Sequence, residues 1–335
     1  MNLFRIVRKK ANRREYADSP LRIAGTALLF VFLLPYVIAC LWGHIGEETE
    51  SVFSHEKEEE NLADMRYRVR IAADWGSREM SMQEYLIRKL EIVLPESGEG
   101  EAYEIEALKA QAVLLRTELW SLLLSGEDPL ILEDNALLYH TLQESVTDAE
   151  ERYEEAVYET DGIFLAYEGA PVKAAFFPVS NGQTRTAAEV WQQDSYPYLI
   201  SVACKQDILA KDYQSQVMVS KKDYCKKLKE LFGEEEIEWE VWKEPTFIYD
   251  SAEYVTEVSF SEKSCSGEVF RNLFGLSSAS FRAQWKEDSV IFQVRGVGHG
   301  FGMSQYGAND KAAEGESFDE ILKDYFFQAE LLKIE

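Results

Sequence analysis

Five of the fourteen residues from Arg295 to Ala308 are glycine: Gly296, Gly298, Gly300, Gly302 and Gly307. Residues without a Cβ let the backbone approach a ligand or another chain segment closely. His299, Ser304, Gln305 and Tyr306 are interleaved with them and supply donors and acceptors suited to a ligand rich in hydroxyls and amides. The string is not a phosphate loop, because the GxxxxGK[ST] pattern and a strand–GxGxxG–helix unit are both absent. On chemistry alone, a glycine-rich turn holding one satisfied histidine remains an open alternative.

Charge divides the chain. Residues 1–22 carry seven basic side chains against Glu15 and Asp18, a net of +5. The total is -25, with 60 Asp and Glu against 35 Lys and Arg, which leaves -30 on the other 313 residues. That balance argues against nucleic-acid binding, which needs Lys and Arg for phosphate contacts. Twenty uncharged residues, Ile23 to Trp42, follow the basic flank. In a helix they would extend roughly 30 Å, the thickness of a bilayer's hydrocarbon core. Basic flanks stay cytoplasmic, so the acidic bulk is expected outside.

Two rivals to an uncleaved anchor stay open. One is a lipoprotein signal ending in Val37-Ile38-Ala39-Cys40, and the other is a cleaved signal peptide. The long basic region and the apolar Leu41-Trp42 after the cysteine favour the anchor. Residues 43–64 read as a solvated acidic stalk and 65–335 as the external domain. The expected location is a single-pass protein of the cell membrane with its C-terminal domain outside the cytoplasm. Cys204, Cys225 and Cys265 are too few for a disulfide framework, although one bridge would be compatible with the count.

Within the domain, residues 66–73 alternate as a strand. Ser81 and Glu84 have capping-box spacing, and Leu86, Leu90, Val93 and Leu94 continue at helical intervals until Pro95. A second helix is expected from Glu104 to Leu124, its apolar residues spaced 3,4,3,4,3. Strands are expected at 163–167, 172–179, 246–249, 254–260 and 289–294, and helices at 219–232 and 317–327. Helices and strands mix without regular βαβ alternation. The class is therefore α+β, with mixed helices and antiparallel strands forming a cleft and one N-terminal transmembrane helix.

The string from Gly296 to Ala308 resembles the signature of the family containing stage II sporulation protein D and the amidase enhancers. Further blocks resemble that family in the same order: Glu84-Tyr85-Leu86, Glu106 to Val113 with Arg116-Thr117, Thr160-Asp161-Gly162, Ser180 to Thr184 with Glu189-Val190-Trp191, Pro197-Tyr198-Leu199, and Phe318 to Tyr325. The resemblance implies a membrane-anchored lytic transglycosylase acting on denuded peptidoglycan strands during engulfment in sporulation. It implies no cofactor, and stage II sporulation proteins M and P as partners. The residues it implies for substrate binding are Arg116, Ser180, Thr184, His299, Ser304, Gln305 and Tyr306, with anchoring of the cleft through hydrogen bonds or an ion pair as a further role for Arg116. A lytic transglycosylase needs one carboxyl group, which protonates the glycosidic oxygen and then, as base, helps the C6 hydroxyl close onto C1.

The chain departs from the family at that group. The family's Glu-Met-Pro triplet corresponds to Val93-Leu94-Pro95, so the expected acid is a valine. Glu96 and Glu91 are the candidate replacements. The alternative is a catalytically inactive glycan-binding scaffold, or an enhancer of a partner cell-wall hydrolase. Phe177-Pro-Val-Ser-Asn-Gly182 also stands where the family often has His-Ser-Thr-Ser-Gly-Gly. His140 lies where relatives can carry metal-binding Cys or His, but no cysteine accompanies it and no metal is expected.

Overall fold

The structure, a computed structural model, describes residues 62–334 apart from 74, 96–101, 127–129, 142–147, 192–195, 234–237 and 262. The expected anchor at 23–42, nearly all of the stalk, and Glu96 lie outside the described residues. Among the described residues no helix is long and apolar enough to cross a membrane.

The first half contains β1 (Arg68–Ala73), β2 (Gly76–Ser81), α1 (Met82–Val93), α2 (Ile105–Leu124), β3 (Leu130–Glu133), α3 (Asn135–Thr141), α4 (Asp148–Glu159), β4 (Ile163–Tyr167), β5 (Ala170–Pro171), β6 (Phe176–Phe177) and α5 (Ala187–Trp191). The second half contains β7 (Gln214–Ser220), α6 (Lys221–Phe232), α7 (Trp239–Trp242), β8 (Thr246–Tyr249), β9 (Val255–Phe260), β10 (Lys263–Ser266) and α8 (Gly267–Phe274). It ends with β11 (Phe281–Trp285), β12 (Ser289–Arg295), β13 (Met303–Ser304), α9 (Gln305–Ala313), α10 (Phe318–Tyr325) and β14 (Glu330–Lys333).

The class is α+β, built from small sheets in the orders β2-β1-β3, β14-β4-β5, β10-β9-β8, β11-β12-β7 and β13-β6. Pairing is mainly antiparallel, but β1 with β3 and β6 with β13 are parallel, which departs from the antiparallel expectation. The strand expected over 172–179 shrinks to Phe176–Phe177 plus a bridge from Val179 to Val297. Its partner is the glycine-rich segment, which follows it for only a few residues at a time.

α2 organises the first half. It is buried over most of its circumference, as expected of a central helix. Leu108, Leu115 and Leu119 pack with Leu86 and Leu90 of α1 and with Tyr153 and Val157 of α4. Ala107, Val113 and Leu114 pack on the other side with Leu165, Met303, Ile321 and Tyr325. A third, aromatic core joins the elements of residues 214–295 through Tyr224, Phe270, Phe281 and Phe292. Cys204, Cys225 and Cys265 are all free.

Arg116 corrects an expectation. Its side chain is wholly buried and cannot meet a ligand in a groove. Its guanidinium bonds Asp64 through Nε at 2.8 Å and Nη2 at 2.7 Å, and it also donates to the carbonyl oxygens of Ile163 and Val157. One side chain thus ties α2 to the end of α4, the start of β4 and the domain entrance. Asp64 is therefore core, and the folded unit starts at Leu62 rather than after a stalk ending at 64. Breaking a buried pair leaves an uncompensated charge, so Arg116→Ala should destabilise the protein by about 3–5 kcal/mol. Urea unfolding of the variant beside wild type measures this, and a loss below about 1 kcal/mol would contradict the anchoring role.

Candidate functional site

The glycine-rich segment runs against residues 175–181, and its glycines serve that contact. Val297 and Val179 exchange backbone hydrogen bonds at 2.7 and 3.2 Å. Met303 N–H donates to the Ala175 carbonyl, and Tyr306 N–H to that of Pro178. Gly302 has φ 73°, and a Cβ there would lie 2.0 Å from the Ala175 carbonyl oxygen. At Gly296, φ is 76° and a Cβ would meet the Val179 carbonyl oxygen at 2.7 Å. Of the two alternatives that the glycine density left open, the structure shows close approach to another chain segment.

Asp207 locks these strings together. Its Oδ2 accepts from the Ser180 backbone N–H and from the Ser304 hydroxyl, both at 2.6 Å. Burial pushes its pKa up, while the bonds from Ser304 and Ser180 oppose that. Ser304 also caps α9, accepting from the Gly307 N–H.

Arg185 is a second buried tie. It bonds Asp250 at 2.6 Å, donates to the His299 carbonyl, and lies over the rings of Tyr254 and Phe301. Neither Asp207 nor Arg185 is evident in the sequence. Asp207 sits in a 3₁₀ helix of five residues, Lys205–Leu209, too short to show a period, and Arg185 directly follows the Ser180–Thr184 block with nothing to mark its partner, Asp250.

The residues expected to bind substrate separate into two groups. Ser180, Thr184 and Ser304 are fully buried, and Gln305 nearly so. Thr184 Oγ1 joins Ile200 and Val202, and the Gln305 amide donates to the Val93 carbonyl at 3.2 Å and to Gln111 Oε1 at 3.1 Å. These four hold the loops, as Arg116 holds α2, and are corrected from ligand contacts to internal ones. Tyr306 is half-buried.

His299 does line an open cleft of about 570 Å³, together with Glu118, Ser121 and Leu122 of α2, Lys173 to Phe176, Tyr196 and Tyr198. α1 contributes no lining residue. Of this lining His299 alone was singled out as a contact from sequence; the charged and aromatic residues Glu118, Lys173, Tyr196 and Tyr198 were not. Tyr196 and Tyr198 stand edge to face at 6.1 Å, and the Lys173 ammonium lies 5.9 Å from the Tyr196 ring centre.

Where the acid was expected, the structure has apolar packing and amides. Val93 packs against the first core, as does Phe176. Glu91 is half-buried and bonded to Arg88. The side chain of His140 lies outside the described residues. Among the described residues no group of three or more His, Cys, Asp or Glu is placed to hold a metal ion.

His299 accepts from the Phe301 N–H through Nδ1 at 3.1 Å, and its ring packs with Phe177 and Phe301. Burial, the largest cause, holds its pKa below the ordinary value. The accepting Nδ1 requires the neutral ring. His299 therefore contributes stability that is fully present above about pH 6.5, the ordinary histidine value, and is lost as pH falls toward its depressed folded pKa. An NMR titration of the ring should give a midpoint below 6.5. The melting temperature of wild type should fall more steeply in this window than that of His299→Asn, which keeps an acceptor and cannot titrate; parallel curves would refute the assignment.

A family model described as stage II sporulation protein matches residues 76–167. Stage II sporulation protein D of Bacillus subtilis is 28% identical over 76% of this chain and 75% of its own length. The protein of the same name from Bacillus amyloliquefaciens is 28% identical over 73% of this chain and 72% of its own. An amidase enhancer of Bacillus subtilis is 26% identical over 67% of this chain, which spans 38% of that longer protein. With the glycine-rich signature and the ordered blocks that accompany it, these matches make the chain similar to stage II sporulation protein D over about three quarters of its length and to the amidase enhancer over about two thirds.

Proposed function

We propose that this chain is a sporulation protein of the cell wall that binds peptidoglycan glycan strands in the cleft of Glu118, Lys173, Tyr196 and His299 and has lost the acid of a lytic transglycosylase. Residues 23–42 anchor it in the membrane, with the domain outside. The observation that carries this reading is Val93, whose side chain packs with the core while Gln305 holds its carbonyl. Half-buried rings beside a lysine and a glutamate suit a sugar, which offers apolar C–H faces and polar hydroxyls. General acid catalysis contributes ~10²–10⁴-fold, and groups that bind ground and transition states alike do not replace it. A relative named as an amidase enhancer supports an enhancing role, with partners of the kind represented by stage II sporulation proteins M and P.

One observation favours a second reading, in which transglycosylase activity persists. Glu118 is a carboxylate lining the same cleft as His299. Mass spectrometry of digested denuded strands, looking for 1,6-anhydro-muramic ends, separates the two. The scaffold reading expects few or no such ends from wild type. Efficient formation by wild type would overturn it, and loss of that activity in Glu118→Gln, Glu91→Gln or Glu96→Gln would locate the acid.

The anchor has its own test. A reporter fused after residue 60 is expected to be active only outside the cytoplasm, and Cys40→Ser should leave the protein membrane-bound. Cytoplasmic reporter activity would reject the topology, and release by Cys40→Ser would favour a lipoprotein.

A further inference from the structure

The sheet of β11, β12 and β7 turns its apolar side chains, among them Phe281, Phe292 and Val294, into the third core. Its other face carries an apolar pair, Ile291 and the exposed Met218, next to a row that is polar and basic. Cross-strand register places Arg282 opposite Gln293 and Gln293 opposite Gln216, so one row spans all three strands. The neighbouring pair is Arg295 with Gln214. These five side chains line a concavity of about 440 Å³.

The charge of this face is set by one further residue. Arg295 and Arg282 both reach Glu253, the latter at 3.8 Å, and the Arg282 guanidinium lies 4.0 Å from the Tyr249 ring centre. Glu253 sits at φ 61°, a conformation rarely adopted by residues with a side chain. Its N–H donates to the Asp250 carbonyl and its own carbonyl accepts from Ser280, which fixes the turn that presents the carboxylate. One carboxylate against two guanidinium groups leaves a local charge of +1 on a chain whose net charge is -25.

We infer that this Arg282–Gln293–Gln216 face is a second glycan-contact site, reading the free lactyl carboxylate and the acetamido groups of strands that have lost their stem peptides. The inference rests on the glycan reading above and gives it a source of selectivity. Removing a stem peptide converts an amide on the lactyl group into a carboxylate, so denudation places a negative charge directly on each muramic residue. Arginine's planar fork matches a carboxylate, and glutamine offers a paired donor and acceptor to an acetamido group. The site and the cleft are close along the chain: Arg295 and His299 are four positions apart, at most about 14 Å of extended backbone.

The test uses the full purified chain and two probes: denuded glycan strands, and the same strands with their carboxyl groups chemically reduced to alcohols. Carboxyl reduction should weaken wild-type binding about three- to tenfold, the scale of one charge-assisted contact that is partly exposed. In Arg282→Gln/Arg295→Gln the two probes should bind alike. Gln216→Glu, an exposed change that leaves both arginines in place, should weaken binding of the carboxylated strands only, which keeps the test decisive if the double variant unfolds. Tyr196→Ala, in the cleft, should weaken both probes equally. Equal binding of both probes to wild type overturns this inference and leaves the cleft reading standing, whereas binding of neither overturns both. Displacement of the strands by poly(glycerol phosphate) combined with indifference to carboxyl reduction would also overturn it, assigning the arginines to phosphate.

Discussion

The Asp207 carboxylate is the interaction on which the rest of the second core and its loops depend. It is buried, and its Oδ2 draws together a backbone N–H from the Ser180 turn and the hydroxyl of Ser304 at the start of α9. Those contacts fix where the glycine-rich segment lies against residues 175–181, and so where His299 meets the cleft. Packing leaves almost no slack around them. At Gly307 a Cβ would lie 3.0 Å from Asp207 Oδ1 and 2.4 Å from the Tyr325 hydroxyl, so α9, α10 and the Asp207 loop converge at a point that admits no side chain. Burial opposes ionisation of Asp207, and the two donors offset it.

Much of the helical framework was legible because its signals are local. Ser81 caps α1 by accepting from the Glu84 N–H, and the 3,4,3,4,3 spacing gives α2 to within a residue of each end. α8 was missed although its signals are local too: Ser266 caps it and Gly275 closes it at φ 67°. α4 is harder to see, since Tyr153, Ala156 and Val157 are its buried face among many charges. The short strands β6 and β13 could not be read at all. Each has two residues, and their pairing brings together segments more than a hundred residues apart.

The site was less legible than the fold, for a reason visible in Arg116. A polar residue inside a motif reads the same whether it faces a ligand or another part of the chain, because sequence carries its chemistry but not its direction. Arg116, Ser180, Thr184, Ser304 and Gln305 all point inward, each with its own internal partners. The open cleft is lined instead by Glu118, on the exposed side of α2, and by Lys173, Tyr196 and Tyr198 from loops. No periodicity marks those positions, since the topology of several elements brings them together.

This inward arrangement bears on what the motifs say about catalysis. If the signature residues were mainly ligand contacts, their presence would argue for a working enzyme. Here they hold the fold: five glycines fit their neighbours only without a Cβ, Ser304 and Ser180 meet at Asp207, and Gln305 braces the end of α1. A chain that must keep this fold to bind a glycan or a partner has to keep these residues whether or not it cleaves anything. The acid is different, because a carboxyl group at position 93 has chemical value and no part in these ties. The valine there joins the first core beside Phe176, and the Gln305 bond to its backbone carbonyl does not depend on the side chain. The glycine-rich signature together with a valine at position 93 is therefore physically consistent, and in this chain the motif strings report architecture more directly than they report chemistry.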